Sequence, residues 1–206
     1  MSTTVTRRDF LMQSAVYGSA LWAALNMPRP RALAAAAASD TPVVLSAAEW
    51  KTVEAISGRI IPADHEPGAI EAGVVNFIDK ALANEDVALK PVYKAGLAGI
   101  DAVAKKRFGK PFIALAPNEQ DEILVALESG KAAGWPKGST SAAVFFGAVR
   151  DHTVFGFLCD PMYGGNRDYA GWKVAGYPGR AHHRGGYTKE QMLGKEPIVP
   201  AWKARI

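Results

Sequence analysis

Ser46-Ala47-Ala48-Glu49-Trp50-Lys51-Thr52-Val53-Glu54-Ala55-Ile56-Ser57-Gly58-Arg59-Ile60-Ile61 carries both a start signal and a period. Ser46 and Glu49 stand three apart, the spacing at which each side chain satisfies one backbone N–H left open at a helix start. Behind them Trp50, Val53, Ile56 and Ile60 return every three or four residues, which lines one face of a helix. The spacing predicts a helix from Ala47 to Ile61. Pro62 and the segment Ala63-Asp64-His65-Glu66-Pro67-Gly68 close it as a loop.

The same period recurs downstream. Val74, Val75, Phe77, Ile78, Ala81 and Leu82 predict a second helix from Ile70 to Asn84. A third runs from Ala88 to Phe108, with Val92, Tyr93, Gly96, Leu97, Ile100, Val103 and Ala104 inward and Gly109 as its stop. Pro117-Asn118-Glu119-Gln120 opens a fourth, which turns Ile123, Leu124 and Leu127 inward and ends before Gly130. Ser141 to Leu158 reads as a fifth, with Val144, Phe145, Val149, Phe155 and Phe157 inward. No stretch alternates with period two. The fold class is therefore all-α, a bundle of about five helices.

After Leu158 the composition changes. Asp160 to Tyr187 holds Gly164, Gly165, Gly171, Gly176, Gly179, Gly185 and Gly186 together with Tyr163, Tyr169, Trp172, Tyr177 and Tyr187. The apolar period disappears, so an irregular segment is expected over 159–187. Long irregular segments in compact domains are functional or disordered, and disordered ones are poor in aromatics. This one is rich in them and is read as an ordered loop lying against something. Pro197 to Ile206 reads as a short extended tail with Trp202.

Residues 1–34 have a different character. Thr6-Arg7-Arg8-Asp9-Phe10-Leu11 precedes a mild apolar run to Leu25, and Ala32-Leu33-Ala34 follows. A basic start, a short apolar middle and small residues at the cut make a secretory signal. The adjacent arginines address it to the twin-arginine exporter, which carries folded chains. Arg7, Arg8, Phe10 and Leu11 are the candidate signal residues. The run is shorter than the ~20 residues that span a bilayer, so cleavage near Ala34 is expected rather than an anchor. Residues 35–45 read as a flexible leader and 46–206 as the helical domain.

The 206-residue chain has a formal charge of +4. Arg7, Arg8, Arg29 and Arg31 against Asp9 supply three of those four charges, so the remainder is nearly neutral. That excludes a strong electrostatic pull on nucleic acid. Cys159 is the single cysteine and has no disulfide partner within the chain. Beside an apolar run, burial is its expected state.

The motifs for chemistry are sparse. No nucleotide-binding glycine pattern stands between a strand and a helix, and no Cys-x-x-Cys-His is present for covalent haem. His152, Cys159 and Asp160, with His182-His183, do not have the converging spacing of a zinc site. Asp64, His65 and Glu66 have no nucleophile in view and read as a solvated turn. Catalytic, cofactor-binding and metal residues are thus expected to be none. Asp160, Asn166, Arg167 and Asp168 could form a sugar cluster, but Asp and Asn side chains more commonly tie down turns through nearby backbone. Tyr163, Arg167, Tyr169, Trp172 and Tyr177 are chosen as partner anchors, because Tyr, Trp and Arg dominate interface energetics. The alternative placement is against this chain's own helices. A second functional reading is a stand-alone periplasmic sugar-binding protein that uses the rings as a stacking platform.

Gly156-Phe157-Leu158-Cys159-Asp160-Pro161-Met162-Tyr163-Gly164-Gly165-Asn166-Arg167-Asp168, then Gly171-Trp172-Lys173 and Gly176-Tyr177-Pro178-Gly179, resembles the signature of the gluconate 2-dehydrogenase subunit 3 family. Ile60-Ile61-Pro62-Ala63-Asp64 and Pro67-Gly68-Ala69 through Val74-Val75-Asn76-Phe77-Ile78-Asp79 resemble its other marked region. The resemblance covers about residues 45–180; Cys159 departs from it, standing where a small residue is common. It implies a small subunit without chemistry of its own, in a periplasmic acceptor-dependent dehydrogenase complex. A large subunit there holds FAD and oxidises a sugar, sugar acid or polyol, and a cytochrome c subunit takes the electrons. The resemblance also implies that the small subunit binds the flavoprotein and lends it the twin-arginine signal, delivering it to the inner membrane.

Overall fold

The computed structural model describes residues 41–138, 140–180 and 186–200, all within the unit Ala34–Ile206. Five long helices form as the spacing predicts: α1 (Ala47–Ile60), α2 (Val74–Ala83), α3 (Lys90–Phe108), α4 (Pro117–Glu128) and α5 (Ala142–Leu158). Two short ones follow, α6 (Ala170–Val174) and α7 (Lys189–Met192). Among the described residues there is no strand; Gly179 and Val199 form a parallel bridge. No helix of the described residues is long and apolar enough to cross a membrane.

The helix ends follow local chemistry. Ser46 N–H donates to Glu49 Oε2 at 2.8 Å, and Glu49 N–H donates to Ser46 Oγ at 3.3 Å, which completes the box that starts α1. At α4, Ala116 N–H donates to Glu119 Oε2 at 2.9 Å and Pro117 occupies the first turn. Ser141 accepts from Val144 N–H at the start of α5. Gly109 ends α3 at φ 73°, a left-handed position that costs glycine nothing.

Three expectations are corrected here. The second helix begins at Val74, not Ile70, because Gly73 adopts φ 64° and breaks the helical path. Val144, expected inward, is 55% exposed. Helix α5 is apolar on nearly every side and packs against α1, α2, α3, α4 and α6; a helix without a polar face gives no periodic clue to which residue turns out. The leader, expected to be flexible through residue 45, is fastened at Val43, Val44 and Leu45 to the Asp79 carboxylate.

The core lies around α5. Val53, Ile78, Ile100, Ile123, Phe145 and Val149 are essentially inaccessible. Polar bonds tie neighbouring elements to α5 at fixed points: Ser57 of α1 shares a hydrogen bond with Thr153 at 3.1 Å, and Tyr93 of α3 with His152 at 2.8 Å. Arg59 of α1 grips Asp121 of α4 through both carboxylate oxygens, at 2.7 and 2.6 Å. The guanidinium holds the Asp121 carboxyl below its usual range.

Candidate functional site

A helix ends with carbonyls that have no partner within it. At the end of α5 the following segment supplies donors. Trp172 Nε1–H donates to Leu158 O at 2.7 Å, and Asn166 Nδ2 donates to Cys159 O at 2.7 Å. The other side of the Asn166 amide accepts Gly171 N–H at 2.8 Å. Asn166 has no exposed surface and sits at φ 48°. One side chain thus joins the end of α5 to the start of α6.

Two glycines make this closeness possible. A Cβ on Gly165 would overlap the Gly156 carbonyl oxygen, and one on Gly171 would overlap that of Phe157. Both obstacles are backbone, so no side chain can step aside. On the far side, Arg167 N–H donates to Ala72 O at 2.9 Å, and its guanidinium lies over Gly73. Asp160 accepts from Met162 N–H at 3.1 Å and shapes the turn Pro161–Tyr163. The segment is therefore not irregular throughout, as its composition suggests; it contains the helical turns Pro161–Tyr163 and Arg167–Tyr169 and then α6. Asp168 and Tyr169 join Asn166 at positive φ, 54° and 61°, a strained arrangement for side-chain-bearing residues.

The rings form a ladder. Tyr169 stacks on Trp172 with centroids 5.6 Å apart, Trp172 meets Tyr177 edge-on at 4.9 Å, and Tyr177 meets Tyr187 at 6.4 Å. Tyr187 Oη donates to Gly179 O at 2.8 Å. Trp172 is 7% exposed, which corrects its place among outward-facing anchors: it closes the core of this chain and caps α5. Tyr177 and Tyr187 are 41% and 40% exposed. Tyr163 and Tyr169 are half-buried and Arg167 is exposed. Tyr187 was not among the residues singled out from sequence, although its aromatic character was visible there. Arg7, Arg8, Phe10, Leu11, His182, His183 and Trp202 lie outside the described residues.

Cys159 is a free thiol. Its Sγ lies 3.4 Å from Gly156 O, and burial pushes its pKa up to about 12, which leaves it unreactive as a nucleophile at neutral pH. Asp64, His65 and Glu66 are exposed, and Glu66 N–H folds back onto Asp64 Oδ1 at 2.8 Å, a solvated turn.

A polar line absent from the sequence reading runs inward from the half-exposed Asp86 through buried His152 to buried Tyr93. His152 Nε2 is 3.2 Å from Asp86 Oδ2, and Nδ1 is 2.8 Å from Tyr93 Oη. A carboxylate only accepts, so Nε2 carries the proton and Nδ1 of the neutral ring accepts from the tyrosine. Burial holds the imidazole below its ordinary 6.5, against the opposing pull of Asp86 and Asp151. The unfolded chain therefore takes up this proton at a higher pH than the folded one. The contribution is complete above about pH 6.5 and declines as pH falls below it. We expect denaturant titrations to show stability falling between pH 7 and 5, with a slope of at most about 1.4 kcal/mol per pH unit from this group. His152→Gln should be weaker at pH 7 and lose that slope; an unchanged slope would refute the assignment.

An all-helical scaffold, closed by a braced cap of glycines and aromatic rings on its central helix, defines the class. The family described as gluconate 2-dehydrogenase subunit 3 matches residues 47–179, well over half of the chain, and the chain belongs to that family. No curated protein and no solved structure matches it.

Proposed function

We propose that this chain is the non-catalytic small subunit of a periplasmic FAD-dependent dehydrogenase complex of the gluconate, sugar or polyol type. It binds the flavoprotein subunit and provides the twin-arginine signal on which both cross the inner membrane. FAD belongs to the large subunit and haem c to a cytochrome subunit of the same complex. The observation that carries this reading is the family match over 47–179 on a chain that opens with Arg7-Arg8-Asp9-Phe10-Leu11 and an apolar run. The aromatic ladder supports it, since Tyr177 and Tyr187 keep about two-fifths of their surface outside, available to a partner. Tyr163, Tyr169 and Arg167 flank that edge in sequence, while Trp172 stiffens it from beneath.

The test is export. Changing Arg7-Arg8 to Lys-Lys should leave both this chain and the flavoprotein in the cytoplasm, read by fractionation and by flavin absorbance in the periplasmic extract. A flavoprotein that reaches the periplasm in normal amount without this chain would sink the reading.

A further inference from the structure

Val43, Val44 and Leu45 donate three consecutive backbone N–H groups to one carboxylate, that of Asp79, at 2.6, 3.0 and 2.8 Å. Asp79 is 1% exposed and sits in the second turn of α2. Successive peptide N–H groups curled about an anion form a nest, and a buried carboxylate needs such a shell of donors. The dependence runs both ways. Residues 43–45 lie in no helix or strand that could satisfy these amides. Val43 is 70% exposed, so apolar burial does not hold it, whereas Leu45 is 7% exposed and joins the core. Their order therefore requires α2 to be formed and packed against α1.

We infer that Asp79 is a latch that fixes where the N-terminal segment leaves the folded body. The inference rests on the export reading and gives it a physical device. The segment is presented from a set point next to α2 only when α1 and α2 have packed; an unpacked chain holds it nowhere. The latch accounts for a buried carboxylate at position 79.

The experiment uses the full chain. In Asp79→Asn an NH2 replaces one carboxylate oxygen and opposes an incoming N–H. In Val43→Pro the shortest of the three bonds is deleted at an exposed residue, away from the core, so the body keeps its fold even where Asp79→Asn does not. Hydrogen exchange by mass spectrometry over residues 41–46 should show the amides of Val44 and Leu45 exchanging at least about tenfold faster in Asp79→Asn. Val43→Pro should melt only slightly below the wild type, since Val44 and Leu45 still donate to Asp79, show the same direction of change, and reach the periplasm in severalfold lower amount. Wild-type amides that exchange at the unfolded rate would overturn the latch. So would freed amides in Val43→Pro with export at the wild-type level. Normal export of the Lys-Lys variant would overturn the export reading, and with it the presentation role, while leaving the amide protection in place; the two failures are thus told apart.

Discussion

Gly171→Ala is expected to destabilise the chain by about 4 kcal/mol or more, a magnitude reserved for changes with no route of relief. The new Cβ would overlap the Phe157 carbonyl oxygen, a backbone atom in the last turn of α5. Helix α6 must then back away from α5. That movement withdraws Trp172 Nε1 from Leu158 O and Gly171 N–H from Asn166 Oδ1. For a chain of this size the melting temperature should drop by about 10–15 °C, with a rise in Trp fluorescence wavelength as the indole of Trp172 meets water. Gly147→Ala is the control. Gly147 lies within α5 with nothing near its would-be Cβ, so alanine there should be neutral or stabilising by about 0.5–1 kcal/mol. Equal melting of the two variants would refute the close-approach argument.

Asn166→Ala is the second large effect, about 3–5 kcal/mol. It removes the donor to Cys159 O and the acceptor for Gly171 N–H, both in a site with no solvent exposure to replace them. It also places alanine at φ 48°, a left-handed conformation that costs about 1–2 kcal/mol. Asn166→Gly loses the same bonds without that strain and should recover about 1 kcal/mol of the difference. Asn166→Asp can accept but cannot donate, setting a carboxylate against the Cys159 carbonyl; it should be no better than alanine. Denaturant titration of the three variants separates bond from backbone. An Asn166→Asp variant as stable as the wild type would show that the donor role is absent.

The five long helices were legible because their causes are local. Ser46 with Glu49, Pro117 with Glu119, and Gly109 and Gly130 past their helices act within a few residues, and the apolar period names the buried face of α1, α3 and α4. Where locality fails, so does the reading. Helix α5 is apolar around its circumference, so Val144 could not be assigned outward until its neighbours were placed. Trp172 reads as an anchor from residue type alone, since Trp dominates interface energetics; its burial comes from the packing of α6 on the end of α5, a separate helix. Asn166 reads from sequence as a residue that ties down backbone, but its partners lie on either side of a turn whose left-handed positions no period announces.

What the sequence determined by itself is the class of the fold, the family signature and the break in character after Leu158, since each is written in neighbouring residues. Only the tertiary structure decided what the signature does. Gly165 and Gly171 are glycines because carbonyls of α5 occupy the space of their side chains, and Asp79 is the point on which three amides from residues 43–45 converge. Contacts between segments far apart in the chain depend on how helices pack, and packing is set by shape and volume summed over the whole core rather than by any one stretch of residues.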